Sequence, residues 1–383
     1  MIRHLFRLIW NKKKTHALLM VEIWASFLVL FGLASMIVFN VSNYVEPLGF
    51  TYERVWAVDF NNNQDTTAIP DKVNTILQRL KAYPEVESVS RMSSNFPFSA
   101  STMNNGVDYK KRHVMAHFYT TDAAFAQTLD MPLVAGRWYT KADLGGKYKP
   151  VVINRKAQEA LFVDENPLGK VFSNFRVVGV IDNFKAKGEF MTNAPAVFEM
   201  MDGKNTWDKI YLVKTKPGTD AMFEARLVKE MSTMLVGWNV EVNPLIDSRK
   251  NQHNLTLVPV IIFLIVCSFL LINVALGLFG VLNLSIAKRR SEIGLRRAIG
   301  ATAKNVSWQF VAEIWVLATF SLLFGLLFAV QFPLMHVFDL ASGVYIGAIA
   351  LAVGIIYGLV TLCALFPSRQ AATIHPAVAL HEE

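Results

Sequence analysis

Few side chains in this sequence have the type and spacing that chemistry needs. Two carboxylates, Glu22 and Glu313, lie inside long apolar runs. An acid in such a run is costly to bury, which makes both candidate functional groups; hydrogen-bonded packing or snorkelling to an interface is the structural alternative. His113 and His117 stand four apart, but the surrounding HVMAHFY alternates like a strand, so helical convergence on a metal is not expected. Asp182 and Glu189 have no obvious partner. A phosphate-binding run of the form G-x-x-x-x-G-K-S/T is missing, because Gly145-Gly146-Lys147 and Gly169-Lys170 lack its spacing. No catalytic residue, resident metal or cofactor is therefore expected on these residues.

The most informative chemistry is basic and sits in KRRSEIGLRRAIGATAKNV, Lys288–Val306. Ile293 and Ala298–Ile299 offer an apolar side, while Arg290, Arg296 and Arg297 offer basic surface. Gly300 fits the residue just past a helix end, and Thr302 fits the cap of the next helix. This predicts a short amphipathic helix between two longer ones, a natural docking piece for a soluble partner. Scattered positive charge alone would give neither the periodicity nor the punctuation.

The elements that position this link are membrane spans. The chain has 383 residues, 53% of them apolar, and carries a net charge of +8. Its mean hydropathy of +0.32 is high for a soluble protein of this length. Four runs explain it: 17–39, charged only at Glu22; 254–287, uncharged; 306–333, charged only at Glu313; and 340–366, uncharged. Each exceeds the roughly 20 residues a helix needs to cross about 30 Å of hydrocarbon. The first run is too long and too interrupted for the core of a cleaved signal peptide.

Lysine and arginine orient the spans. Arg3, Arg7 and Lys12–Lys14 precede the first run, the 288–305 link is strongly basic, and no Lys or Arg falls between Lys304 and Arg369. The positive-inside rule then places both termini and the link in the cytoplasm, with 43–253 and the Pro333–Asp339 turn outside. Most of the basic excess belongs there, beside anionic lipid, and needs no nucleic acid. The resulting plan is 1–14 as an interfacial cytoplasmic helix, 15–42 as the first span, 43–253 as an extracytoplasmic domain and 254–287 as the second span. The 288–305 coupling helix, spans 306–333 and 340–366, and a cytoplasmic tail 367–383 follow. Ile2, Leu5, Phe6, Ile9 and Trp10 give the leader its helical stripe.

The outer segment alternates strand-like and helix-like pieces. Arg54–Phe60 puts Val55, Ala57 and Asp59 on one face and Trp56, Val58 and Phe60 on the other. Helices are predicted at Asp71–Ala82, Asp122–Leu129, Arg155–Phe162 and Asp220–Leu235. Strands are predicted at Val86–Met92, Pro150–Ile153, Phe175–Ile181, Lys209–Lys214 and Asn239–Asn243. The fold class is therefore a membrane protein of four transmembrane α-helices plus a large two-lobed α+β domain between the first two. One lobe is 45–95 with 207–245, and the inserted lobe is 96–206. Both cysteines, Cys267 and Cys363, lie in spans, so the domain must be held by its own core.

Small residues mark expected helix contacts. Gly343, Gly347, Gly354 and Gly358 fall within about 60° of one another at 100° per residue. Ala318, Ser321, Gly325 and Ala329 do the same on the third span, and Asn273 reads as an interhelical hydrogen-bonder.

SEIGLRRAIGA, Ser291–Ala301, resembles the cytoplasmic signature of the MacB/FtsX-type ABC permeases. WQFVAEIWVL (Trp308–Leu317) is similar to that family's third span, with its acid after a Gln-Phe pair, and PSRQAATIHPAVAL (Pro367–Leu380) to its tail. MPLVAGRWYT (Met131–Thr140), NPLGKVF (Asn166–Phe172) and FRVVGVIDNF (Phe175–Phe184) resemble the MacB-like extracytoplasmic domain. The resemblance covers nearly the whole chain. It implies a permease subunit, non-catalytic itself, that couples cytoplasmic ATP hydrolysis to motion of its outer domain. The cargo class implied is a peptide, a lipoprotein or an amphiphile.

Its expected partners are a second copy of this chain and two copies of a cytoplasmic ABC ATPase that binds ATP and Mg. Membrane lipid, a periplasmic adaptor and an outer-membrane exit duct complete the set. The setting is the bacterial inner membrane. Coupling would fall on Arg290, Glu292, Ile293, Gly294, Arg296, Arg297, Ile299 and Gly300. The alternatives are an FtsX-like scaffold that controls cell-wall hydrolases, and a sensor of antimicrobial peptides.

Overall fold

The computed structural model describes residues 13–202, 205–335, 337 and 340–372. The expected interfacial helix of the leader lies outside them up to residue 12, as do most of the tail and residues 336, 338 and 339 of the Pro333–Asp339 turn. By chain contacts the protein divides into two compact units: 42–256, and a second made of 1–41 with 257–383.

Among its described residues the unit 42–256 is built on eleven strands. They are β1 (Val55–Asn61), β2 (Val86–Met92), β3 (Asn104–Tyr109), β4 (Arg112–Thr121), β5 (Leu133–Gly136), β6 (Lys149–Asn154), β7 (Val171–Phe172), β8 (Phe175–Ile181), β9 (Ala196–Met200), β10 (Ile210–Thr215) and β11 (Asn239–Pro244). Their hydrogen-bonded order is β11-β1-β10-β2-β4-β9-β6-β8-β5, with β3 on β4 and β7 on β8. Sequence reading missed β3, β5, β7 and β9: these are short or polar, and their partners supply the pairing. The pairs among β11, β1, β10 and β2 are antiparallel, whereas β4–β9 and β6–β8 are parallel. The two strand groups meet only where Met92 pairs with Thr121. The two lobes are thus halves of one sheet path rather than separate sheets.

Alternation along β1 sets the layers. Trp56, Val58 and Phe60 bury against the helices Ile69–Ala82 and Ala221–Met234, with Ile76, Leu80, Phe223, Leu227 and Met231. Val55 and Ala57 face a second core around Phe98, Phe125, Phe184 and Phe198. The helix Arg155–Leu161 covers a third, with Val151, Ile153 and Val177 beneath it. Asn154 caps that helix by accepting from Ala157 N.

Four helices among the described residues are long and apolar enough to cross a membrane. We label the long helices α1 (Lys13–Val45), α2 (Leu245–Lys288), α4 (Ala303–Ala329) and α5 (Ser342–Ala372), with the short link helix α3 (Arg290–Ala298) between α2 and α4. The helix expected from about residue 253 begins at Leu245, directly after β11, and its 44 residues span about 66 Å. Within their unit, Ile23, Phe27 and Phe31 of α1 pack with Phe310, Ile314 and Ala318 of α4 and with Ala348, Ala352 and Ile356 of α5. α2 contributes only a thin stripe, Cys267, Val274, Leu278 and Leu282.

Candidate functional site

The link between α2 and α4 is a tight, fully punctuated turn. The first helix ends at Lys288, and Arg289 leaves helical geometry at φ −113°, ψ 19° before α3 starts. Gly300 closes α3 at φ +102°, a conformation that favours glycine, and Thr302 Oγ1 accepts from Asn305 N at 3.2 Å to cap α4. Ile293 and Gly294 turn inward and are buried. Leu295 and Ile299 turn outward, with Ile299 78% exposed. This corrects the expected apolar side: Ile293 and Ile299 are six positions apart, so at 100° per residue they point about 120° apart.

Two arginines of α3 are partnered within the link. Arg296 donates from Nη2 to Glu292 Oε1 and from Nη1 to Gln309 Oε1, each at 2.5 Å. Arg297 Nη1 donates to the Ala301 carbonyl at 3.2 Å, while its Nε is buried with no hydrogen-bond partner. Arg290 is engaged as well. The outward surface of the link therefore combines the aliphatic Leu295 and Ile299 with the exposed Lys288 and Lys304.

The two intramembrane acids separate. Glu313 accepts from Arg289 Nη1 at 2.9 and 3.2 Å through its two oxygens, and Gln309 Nε2 stands 3.4 Å from Oε1. Among the described residues Glu22 has no ion pair, and its Oε2 is buried without a hydrogen-bond partner. It lies against Gly277, where a β-carbon would come within 2.9 Å of that oxygen. Arg289, Gln309 and Leu295 were missed by sequence reading, although the Gln-Phe-x-x-Glu spacing at 309–313 already put Gln309 one helical turn from Glu313.

The glycines expected to pack divide too. Gly325 sits under Phe27, whose Cδ1 would be 2.5 Å from a β-carbon there, and Gly347 sits under Val38 at 3.4 Å. Gly343, Gly354 and Gly358 meet nothing within 4 Å. The packed side of α5 is instead Tyr345, Ala348, Ala352, Ile356, Val360 and Ala364, nearly opposite the glycine row around the helix. Asn273 Nδ2 bonds the Phe269 carbonyl of its own helix at 2.8 Å rather than a neighbour.

The unit 42–256 holds a polar cluster that sequence reading did not assemble. Asp182 pairs with Arg155 at 2.6 Å. Glu189 accepts from Arg249 Nε through Oε1 and meets His253 Nε2 through Oε2, both at 2.6 Å. Lys185, 1% exposed, donates to the carbonyls of Asn43 (2.5 Å) and Glu189 (2.6 Å). Asn43 Nδ2 returns a bond to Phe190 O at 3.0 Å, and the Phe190 ring makes tilted contacts with the rings of Tyr44 and His253. The strap 185–190 thus grips the end of α1 and the first turns of α2. Burial pushes the Lys185 ammonium below the usual lysine range, against the pull of Glu46 and Glu189. Burial pushes Glu189 up, but the His253 and Arg249 hydrogen bonds outweigh it and hold the carboxyl below its usual value. His113 pairs with Asp108 across β3–β4 at 2.8 Å, and burial, then Lys187, push His117 below the usual histidine range.

A sheet-rich α+β domain between the first two of four apolar helices, with a short punctuated helix between the second and third, defines a class of membrane permease. Residues 25–230 match the MacB-like periplasmic core domain, and residues 258–376 the FtsX-like permease C-terminal domain. The chain belongs to the MacB/FtsX-type ABC permease family.

The macrolide export ATP-binding/permease protein MacB of Marinobacter nauticus is 25% identical over 302 residues, 72% of this chain and 45% of that protein. MacB of Neisseria gonorrhoeae is 26% identical over 329 residues, 77% and 47%. The chain spans about half the length of the curated relatives it matches. The crystal structure of the periplasmic region of MacB from Actinobacillus actinomycetemcomitans aligns with a TM-score of 0.40 and 16% identity, over 55% of this chain and 98% of that one.

Proposed function

We propose that the chain is the permease subunit of an ABC transporter that carries the work of a cytoplasmic ATPase to its extracytoplasmic domain, without a hydrophilic path through its spans. In this reading both termini and α3 are cytoplasmic and two copies of the chain meet two ATPase subunits. The cargo, a peptide, lipoprotein or amphiphile, is handled on the outer side, and an adaptor and an exit duct continue its route. ATP and Mg belong to the partner, which the lack of a G-x-x-x-x-G-K-S/T run in these residues supports. α2 supports the transmission, because one helix carries the chain from β11 to Arg289.

The observation that carries the reading is α3 itself. It is a helix closed at its C-terminal end by Gly300, held on its inner side by Ile293 and presenting Leu295 and Ile299 outward. Exposed aliphatic side chains on a basic helix are what a soluble partner would bury. The Leu295→Asp, Ile299→Asp double variant is expected to insert and fold normally. The nucleotide-hydrolysing activity that co-purifies with the tagged full-length chain should fall at least about tenfold, the equivalent of about 1.4 kcal/mol of docking energy. Unchanged co-purifying activity would refute docking through this face.

A further inference from the structure

Glu313 occupies a position that packing alone does not explain. It lies in an apolar helix, its side chain is 17% exposed, and that of its partner Arg289 is 15% exposed. Arg289 is the residue where the chain leaves α2 and turns into α3. Gln309, one turn earlier on α4, stands 3.4 Å from the same carboxylate and takes a hydrogen bond from Arg296 on the far half of α3. Arg296 in turn holds Glu292. One carboxylate thereby reaches both ends of α3, directly through Arg289 and through Gln309 to Arg296.

We infer that Glu313 is the positioning residue of the link: it fixes the orientation at which α3 is presented. The consequence for a partner rests on the docking reading above, but the fixation does not. Hydrophobic contact through Ile293 allows a nine-residue helix to roll and tilt, since a single apolar anchor has no direction. Charge-assisted hydrogen bonds at two separated points remove both freedoms, because each has a defined geometry. The placement also suits the membrane: a lone acid here would be expensive, and the guanidinium supplied by the turn compensates it. The described hydrogen bonds of this network tie α3 to α4, the helix that carries the buried row Ala318, Ser321 and Ala329.

The test uses the full-length chain in lipid nanodiscs with Cys267 and Cys363 replaced by serine, labelled protein being diluted into unlabelled protein. Nitroxides at Ile299→Cys and Leu323→Cys report the distance from α3 to α4. The parent should give one narrow distribution. Glu313→Gln and Arg289→Gln should each broaden it at least about twofold, and the double variant should be no broader than either single, because both remove the same contact. A second pair, Leu323→Cys with Ile346→Cys, should remain narrow in every variant, which separates release of α3 from loss of the helix bundle. A parent-like width in Glu313→Gln, additive broadening in the double variant, or equal broadening of the second pair would each overturn the inference. No ATPase is present in this measurement, so failure of the docking test leaves its outcome untouched.

Discussion

Replacing Glu189 with glutamine should expose how firmly the strap holds the helix ends. The carboxylate is 11% exposed in its side chain, against 24% for Arg249 and 19% for His253, so the cluster lies between a surface pair and a sealed one. Exposed pairs contribute about 0–1 kcal/mol, and breaking a sealed pair costs about 3–5. Two charge-assisted bonds of about 1.5–3 kcal/mol each are weakened here, with the amide still able to accept one of them. The net loss should be about 2–4 kcal/mol. For a unit of this size each kcal/mol moves Tm by about 2–4 °C, so the transition of the domain should fall by about 5–15 °C. Near-ultraviolet circular dichroism of the full-length chain in detergent follows it, since Trp56, Trp138 and Trp238 lie buried in this unit. The pH dependence carries the sign. Glu189 is held below its ordinary 4.5 in the folded state, so its contribution is present above 4.5 and is lost as pH falls through the folded value. Wild type should therefore lose Tm on acidification below about 4.5 more steeply than Glu189→Gln. A variant melting within about 1 °C of wild type at pH 7, or the same acid slope in both, would refute the argument.

Two further outcomes test the membrane unit. Gly325→Val should lower the thermal stability of the detergent-solubilised chain by several degrees, because its side chain must displace Phe27. Gly354→Ala and Gly358→Ala should leave the stability of the single chain within about 1 °C or raise it, given open space and the better helix propensity of alanine; a loss as large as that of Gly325→Val would contradict the packing described. For orientation, Ser342→Cys should label with an impermeant maleimide in intact spheroplasts, as expected when lysine and arginine vanish from Lys304 to Arg369. Labelling only after lysis would invert the topology.

What could be read from the sequence followed the range of the forces involved. The absence of charge over 254–287 is a local property, and the long apolar helix follows from it. Gly300 and Thr302 were legible as end and cap because each acts within a turn of its own position. The alternation of Val55–Phe60 already assigned Trp56 and Phe60 to one face of the sheet. Pairings across long stretches of chain left no such trace: nothing near Glu189 announces Arg249 or His253, and nothing near Glu22 announces Gly277. Of the glycine row on α5, Gly347 meets Val38 in this chain while Gly343, Gly354 and Gly358 stay open, because a small-residue stripe says that something can approach closely. It does not say that this chain supplies it, and the alanine side took that role.

The two acid-centred networks acquire a common meaning from the helix they flank. Glu189 holds Arg249 and His253 in the first turns of α2, and Glu313 holds Arg289, the residue just beyond its last. Between them the helix is sparsely gripped by its own chain, with large apolar side chains such as Ile261, Phe269 and Leu276 exposed. In a bilayer such a surface is covered by lipid or by another apolar helix at little cost, so it resists sliding weakly. Fixation by directional, charge-assisted bonds at the ends and by non-directional contact along the length suits an element that moves as a whole. A helix packed along its full length would have to repack its core to shift at all. The sequence therefore places its expensive buried charges at the two ends of α2 and leaves inexpensive apolar contact between them.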